Sequence, residues 1–374
     1  MKRIYLYCLM IACFSFYSCN ENDGQDNYNE STIFYKGMDL SFLEELEQSG
    51  LQFKDENNNV ITNNYAYISS KGVNLVRIRL WLNNPNGLYD LDHVKRQALR
   101  AQENGMEFLL DFHYSSTWAD PGSQRIPSNW SNYSHQELTV AIENYSKNVL
   151  QELNDQGTLP KFVQIGNETD NGFLWPIGKI YDSGNENWNN YIDLTKAAIN
   201  GVKRVSPTSK IIIHKADIAT SEYFFQQLID RNVEFDVIGL SYYPWWQTTN
   251  LDDIEQKLEQ LAQSFNQEIL LVETAYPFTL NWNDNKNNIV GLQNQLIPEY
   301  GATPSGQRNY LLRIHNTIKN LPKNKGIGFC YWAPDWVAVA PGISTYTQGS
   351  SWENLALFNF ENRVTPAIEI YAIE

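Results

Sequence analysis

The chain of 374 residues is poor in cysteine, histidine and positive charge. Three of its four cysteines, Cys8, Cys13 and Cys19, crowd the N-terminus, and only Cys330 stands in the body of the sequence. No disulfide framework can therefore hold the fold. Cys330 lies in the apolar stretch GIGFCYW, where a small buried hydrophobe is expected rather than a nucleophile. Five histidines offer little for a metal centre. The 28 Lys and Arg against 43 Asp and Glu give a net charge of -15. Nucleic acid and anionic lipid surfaces need cationic patches, so neither is an expected partner, whereas a neutral sugar is not opposed. The N-terminal apolar run, Ile4 to Tyr17, is too short to cross a bilayer comfortably. No glycine-rich phosphate turn follows the first strand-like segment, which counts against an open doubly wound sheet.

What is present begins with the leader. Lys2 and Arg3 precede the apolar run, Ser18-Cys19 follows it, and then comes the polar stretch NENDGQDNYNE. This pattern resembles a bacterial lipoprotein signal, with Phe16 where that pattern prefers leucine. The resemblance implies that residues 1–18 are removed, that Cys19 is lipidated, and that residues 19–32 form a polar tether. The protein would then be exported and anchored to the bacterial outer membrane by lipid alone, exposed at the cell surface if the acidic tether reaches outward. The alternative is an ordinary secretory signal in which Cys19 is incidental.

Eight short runs rich in Val, Ile, Leu or Phe recur along residues 33–374. They are Phe34 to Asp39, Leu75 to Trp81, Glu107 to Tyr114 and Lys161 to Glu168, then Lys210 to Ala216, Phe235 to Tyr243, Glu268 to Tyr276 and Gly326 to Trp332. Such runs suit strands buried on both faces. Helical patterns alternate with them. Leu91 to Glu103 ends at Gly105, and Ser134 to Glu137 is a capping box opening a helix that closes near Gly157. Strands alternating with helices pair in parallel through right-handed crossovers, and eight such units predict a single α/β domain, a (β/α)8 TIM barrel.

Chemistry in such a barrel gathers at the C-terminal ends of the strands. Those ends carry Asp39, Arg77, Arg79, Trp81, Asp111, His113, Trp118, Asp120, Asn167, Glu168, Tyr242, Trp245, Glu273, Trp332 and Asp335, with Trp352 further on. A carboxylate after a run of Val and Ile is costly to bury unpaired. Glu168 and Glu273 end the fourth and seventh strands, which face each other across the mouth. Paired carboxylates flanking a glycosidic bond are the equipment for cleaving it, and one ionised partner raises the other's pKa. A pair of structural salt bridges, with Arg79 neutralising one glutamate, is the plainer reading. Trp81, Trp118, Trp245 and Trp352 fall just past strand ends, where flat rings suit stacking on sugar faces. Asp111 and His113 are expected to point to opposite sides of their strand, so a catalytic metal is weakly supported and His113 reads as a hydrogen-bonding group.

The segments KGMDLS, VRIRLW, LLDFHYSSTWADPGSQ, QIGNE, DVIGLSYYPWW, VETAYP and FCYWAP together resemble glycoside hydrolase family 53, the endo-β-1,4-galactanases, from about Phe34 to the C-terminus. The resemblance implies a retaining hydrolase of β-1,4-galactan or type I arabinogalactan, with Glu168 as acid/base and Glu273 as nucleophile. Asn167 would bond the sugar 2-hydroxyl and Tyr242 would hold Glu273. Arg79 and His113 would line the catalytic subsite, and Asp39, Trp81, Trp118, Trp245, Trp332 and Asp335 would shape the cleft. Some relatives carry calcium in the loop after the seventh strand. Here that loop alternates Asn281, Asn283, Asn285 and Asn287 with Asp284 its only acid, so weak calcium binding or none is expected and no cofactor is required. The alternatives are another member of the same clan, such as a β-mannanase or cellulase, or a non-catalytic glycan-binding lipoprotein. A monomer is expected.

Overall fold

The computed structural model describes residues 33–339 and 349–373. Eight parallel strands close into a barrel in chain order. They are β1 (Tyr35–Asp39), β2 (Leu75–Leu80), β3 (Glu107–Phe112), β4 (Phe162–Ile165), β5 (Lys210–Lys215), β6 (Val237–Tyr242), β7 (Glu268–Thr274) and β8 (Gly326–Tyr331). Helices fill the crossovers, among them α1 (Leu43–Gln48), α2 (Asn64–Ser70), α3 (Leu91–Glu103), α4 (His135–Gln156), α5 (Asn189–Lys203), α6 (Ser221–Asp230), α7 (Leu251–Ser264) and α8 (Pro304–Lys319). The local signals act as read. Ser134 and Glu137 form a reciprocal capping box at the start of α4, and Gly157 takes a left-handed φ of 81° at its end.

Alternation along each strand sorts the side chains into two cores. Val76, Ile78 and Leu80 of β2 face the helices, as do Phe108, Leu110 and Phe112 of β3. The inward positions form a separate apolar cluster deep in the barrel, including Tyr35, Leu75, Leu109, Phe162, Ile212, Val237, Leu270, Ile327 and Cys330. Cys330 is fully buried there and its thiol pKa is raised by burial, so it behaves as packing. Gly37 makes room for it, since a Cβ on Gly37 would stand 2.4 Å from the Cys330 sulfur. Two residues nearer the C-terminal end, the same inward rows turn polar. Leu75 is followed by Arg77, Leu109 by Asp111, Phe162 by Gln164 and Ile212 by His214, all buried. The barrel is therefore apolar at its base and charged at its mouth.

Candidate active site

The two glutamates reach the mouth by different backbone devices. Glu168 lies beyond β4, after Gly166 at φ 78°, and itself adopts a left-handed φ of 46°. A non-glycine residue in that region is strained, and such strain collects where a side chain must be aimed. Glu273 lies inside β7. Alternation would place it outward with Ile269 and Leu271. The ladder slips instead, because Leu240 pairs with Leu271 while the next residue, Ser241, pairs with Glu273. This β-bulge carries one extra residue and turns Glu273 into the barrel.

Arg77 organises the centre. Its guanidinium bonds Asp39 at 2.7 Å, Asp111 at 2.8 Å, Asn167 Oδ1 at 2.8 Å and Glu273 Oε1 at 2.9 Å. The hydroxyl of Tyr243 donates to Glu273 Oε2 at 2.9 Å. Burial raises the Glu273 pKa to about 7, with Arg77 opposing the rise and Asp111 and Asp39 adding to it. Glu168 has no such cation. Burial raises its pKa well above the usual carboxylate range, and the charge of Glu273 raises it further. The pair is thus polarised, with the negative charge directed to Glu273 and the proton to Glu168.

Glu168 is oriented by a closed ring of hydrogen bonds. Its backbone N–H donates to His214 Nδ1 at 3.2 Å, His214 Nε2 lies 2.9 Å from the Ser241 hydroxyl, and that hydroxyl donates to Glu168 Oε1 at 2.8 Å. The His214 pKa is held well below its ordinary value by burial and by Arg77, which suits a neutral imidazole. Gln124 fixes the turn by donating to the carbonyls of Asn167 and Glu168.

A cavity of about 220 Å³ opens over this centre. Its walls include Asp39, Arg79, His113, Trp118, Asp120, Asn167, Glu168, Glu273, Trp332 and Trp352, all proposed from sequence, together with Tyr243, Trp246 and Trp336, which were not. Trp246, at 60% exposure, is the open aromatic face beside Glu168, whereas its neighbour Trp245 does not line the cavity. Trp81 is also outside it. It is buried, and its indole N–H donates to His113 Nδ1 at 3.2 Å. Asp335 does not line the cavity; it is buried, both its carboxyl oxygens lack a hydrogen-bond partner among the described residues, and burial raises its pKa.

Two expectations are corrected and one alternative is set aside. Tyr242 cannot hold Glu273, because it faces outward, donates to Thr248 O at 2.7 Å and stacks toward Tyr310; Tyr243 makes the contact. Arg79 does not neutralise a glutamate. Its guanidinium lies 3.8 to 4.3 Å from the ring centroids of Tyr89, Phe42 and Trp118, and its nitrogens have no hydrogen-bond partner among the described residues. Asp111 and His113 share a face, as residues two apart on a strand must, and touch at 3.1 Å. The His113 Nδ1 accepts from Trp81 and the Ala119 N–H, which leaves Nε2 to donate to Asp111. His113 is thereby committed to protein partners.

Nor does the loop after β7 fit a calcium ion. Asn283, Asn285 and Asn287 are exposed. Asp284 directs its carboxylate at the backbone N–H groups of Lys286 and Ser350, and Glu353 directs one oxygen at those of Asn283 and Asp284. Among the described residues no cluster of three or more His, Cys, Asp or Glu side chains is arranged for a metal. Cys19 and the leader lie outside the described residues.

Known proteins resemble this chain in sequence and in fold. The model for glycosyl hydrolase family 53 matches residues 35–371. An arabinogalactan endo-beta-1,4-galactanase from Cellvibrio japonicus is 35% identical over 347 residues, spanning 90% of this chain and 90% of that protein. The endo-beta-1,4-galactanase of Bacillus subtilis is 28% identical over 90% of this chain and 85% of its own. The Ignisphaera aggregans GH53 catalytic domain superposes with a TM-score of 0.86 at 35% identity, covering 93% of this chain and 98% of that one. A closed parallel barrel whose residues 35–371 match that family, with relatives alike over nine-tenths of its length, leaves one conclusion: the chain belongs to glycosyl hydrolase family 53.

Proposed function

We propose that the protein is a retaining endo-β-1,4-galactanase that cleaves the galactan of pectin and type I arabinogalactan. The observation that carries this is the asymmetry of the two carboxyls, one held by a cation and a phenol, the other raised by burial and by the charges of Glu273 and Asp170 with only the Ser241 hydroxyl opposing. Glu168 protonates the glycosidic oxygen while ionised Glu273 attacks the anomeric carbon, so the leaving chain departs and a glycosyl-enzyme forms. Glu168, now ionised, takes a proton from water, the water oxygen attacks the anomeric carbon from the face the leaving group left, and Glu273 departs as carboxylate. Two inversions give net retention. The aromatic walls, Trp118, Trp332 and Trp352, suit the apolar faces of successive sugars. The galactan preference rests on the named relatives.

The test is cleavage of linear β-1,4-galactan, β-mannan and carboxymethylcellulose, with NMR of the first-formed anomer. Galactan alone should be cut in mid-chain with the β-anomer appearing first. Cutting of mannan or cellulose instead would discard the substrate, and an α-anomer would discard the double displacement. Glu273→Gln should lose turnover by about 10³-fold or more while still binding galactan. Full turnover in that variant would remove its assigned role. We also propose an exported lipoprotein acylated on Cys19. Labelled palmitate should enter the wild type and not Cys19→Ala, and labelling of both would refute the assignment.

A further inference from the structure

The loops that follow β7 and β8 are stitched together beside the cavity by two carboxylates that take no part in the chemistry. Glu353 belongs to the loop after β8 and is fully buried. Its Oε1 accepts the backbone N–H of Asn283 at 2.6 Å and that of Asp284 at 3.4 Å, both in the loop after β7. Asp284 reaches back, accepting the N–H of Ser350 and, at 2.6 Å, that of Lys286. The approach is so close that a Cβ on Gly349 would stand 2.3 Å from the Asp284 carboxylate, and Gly349 holds a φ of +87°. Neutral bonds continue the seam. Ile289 N–H donates to Ser351 O at 2.9 Å, and the Asn354 amide donates to Thr279 O and Val290 O at 2.8 Å each.

The seam has a functional margin. Ile289, Ser351 and Trp352 all line the catalytic cavity. Trp352 wedges against Trp332 at 4.6 Å between centroids and against Tyr243 at 5.6 Å, the residue that bonds the nucleophile. Ser350, which precedes Ser351 of this wall, is held by the Asp284 carboxylate of the opposite loop, and Glu353, which follows Trp352, holds the Asn283 and Asp284 amides in turn. A buried carboxylate is costly, one oxygen of Glu353 has no hydrogen-bond partner among the described residues, and burial and the nearby Asp284 push its pKa up to about 7. A purely structural seam would be cheaper with an amide or with packing, which suggests that the geometry of the wall is what it serves.

We propose that Glu353, with Asp284, is a positioning residue for the reaction. Its acceptor oxygen clips the loop after β7 to the loop after β8, and so sets the Trp352 wall against which the polysaccharide lies. It touches neither the reacting atoms nor the sugar.

The test uses Glu353→Ala, Glu353→Gln and Asp284→Asn in the full chain. Glutamine keeps an oxygen at the Oε1 position, whereas alanine does not. In Glu353→Ala, amide hydrogen exchange should speed up in peptides covering 279–291 and 349–354, with the barrel strands unchanged. Its KM for galactan should rise by roughly fivefold or more with kcat within about twofold, the pattern of lost uniform binding. Glu353→Gln should restore both readouts toward wild type. Asp284→Asn, on the less buried side, places an amide group against one of two N–H donors and should loosen 349–354. Wild-type exchange and KM in Glu353→Ala would overturn the proposal, as would a Glu353→Gln variant as impaired as the alanine. If Glu353→Ala fails to fold, unchanged exchange and KM in Asp284→Asn would overturn it. The KM arm rests on the galactanase reading. If the wild type does not cut galactan, that reading fails while the exchange arm still judges the clip.

Discussion

The hydroxyl of Tyr243 offers the sharpest quantitative test of how Glu273, the proposed nucleophile, is kept ionised. Tyr243→Phe keeps the ring between Trp352 and Trp245 and removes only the 2.9 Å bond to Glu273 Oε2. A hydrogen bond to a charged group is worth about 1.5–3 kcal/mol, and each pKa unit is about 1.4 kcal/mol, so the Glu273 pKa should rise by roughly one to two units. The starting value is about 7. Catalysis needs Glu273 ionised, so activity is lost as pH falls through its pKa, and the acid limb of kcat/KM should move to higher pH by that shift. At about pH 6, where the ionised fraction is already small, kcat/KM should drop by roughly 10- to 100-fold and recover as pH is raised. Tyr242→Phe is the matched control. It loses its bond to Thr248 O, far from the nucleophile, and should leave the pH profile unchanged. An acid limb that stays in place in Tyr243→Phe, or moves equally in Tyr242→Phe, would refute the reasoning.

Arg77→Lys should be inactive and destabilised by about 3–5 kcal/mol in urea titration, because one compact ammonium cannot meet Asp39, Asp111 and Glu273 together and leaves buried carboxylates uncompensated; a stable, active lysine variant would remove Arg77 from the centre. Glu168 binds its proton more tightly folded than unfolded, since burial raises its pKa. Its contribution to stability is therefore greatest at low pH and is lost as pH rises from the unfolded carboxylate pKa through the folded value. Glu168→Gln removes that dependence, so thermal unfolding should show a larger gain in Tm at about pH 8 than at about pH 5; a gain that is larger at the acid end would contradict the raised pKa.

Much of the site was legible from residue type and spacing. The runs of Val, Ile and Leu marked strands buried on both faces, and the caps at Ser134 and Gly157 act through local geometry alone. Glu168 and Glu273 stood out as acids where burial makes acids costly. The opposite-face reading of Asp111 and His113 broke alternation itself, whereas the misreadings of Tyr242 and Arg79 share one physical origin. A strand's sequence gives alternation, and neither bulge nor height along the barrel axis. Alternation read without the bulge would turn Glu273 outward, and only the slipped pairing with β6 corrects it. Tyr242 and Tyr243 are equivalent by type, but strand parity sends the first to Tyr310 and leaves the second for the nucleophile. Arg77 and Arg79 share a face, and one layer of height separates an ion-pair centre from an aromatic box.

The partners of those groups come from chain segments far apart. Gln124, His214 and Ser241 each support Glu168 or Asn167 through side-chain bonds, yet none sits in a spacing that points to the others. The carboxylate seam between Asp284 and Glu353 likewise spans two loops that only barrel closure brings together. The sequence by itself marked the barrel and the two glutamates, because burial, periodicity and costly charge are written locally, and its motifs carried the resemblance to the family. Only the tertiary structure decided which tyrosine and arginine contact Glu273 and which tryptophans line the cavity, because those depend on distances between strands that meet only when the barrel closes.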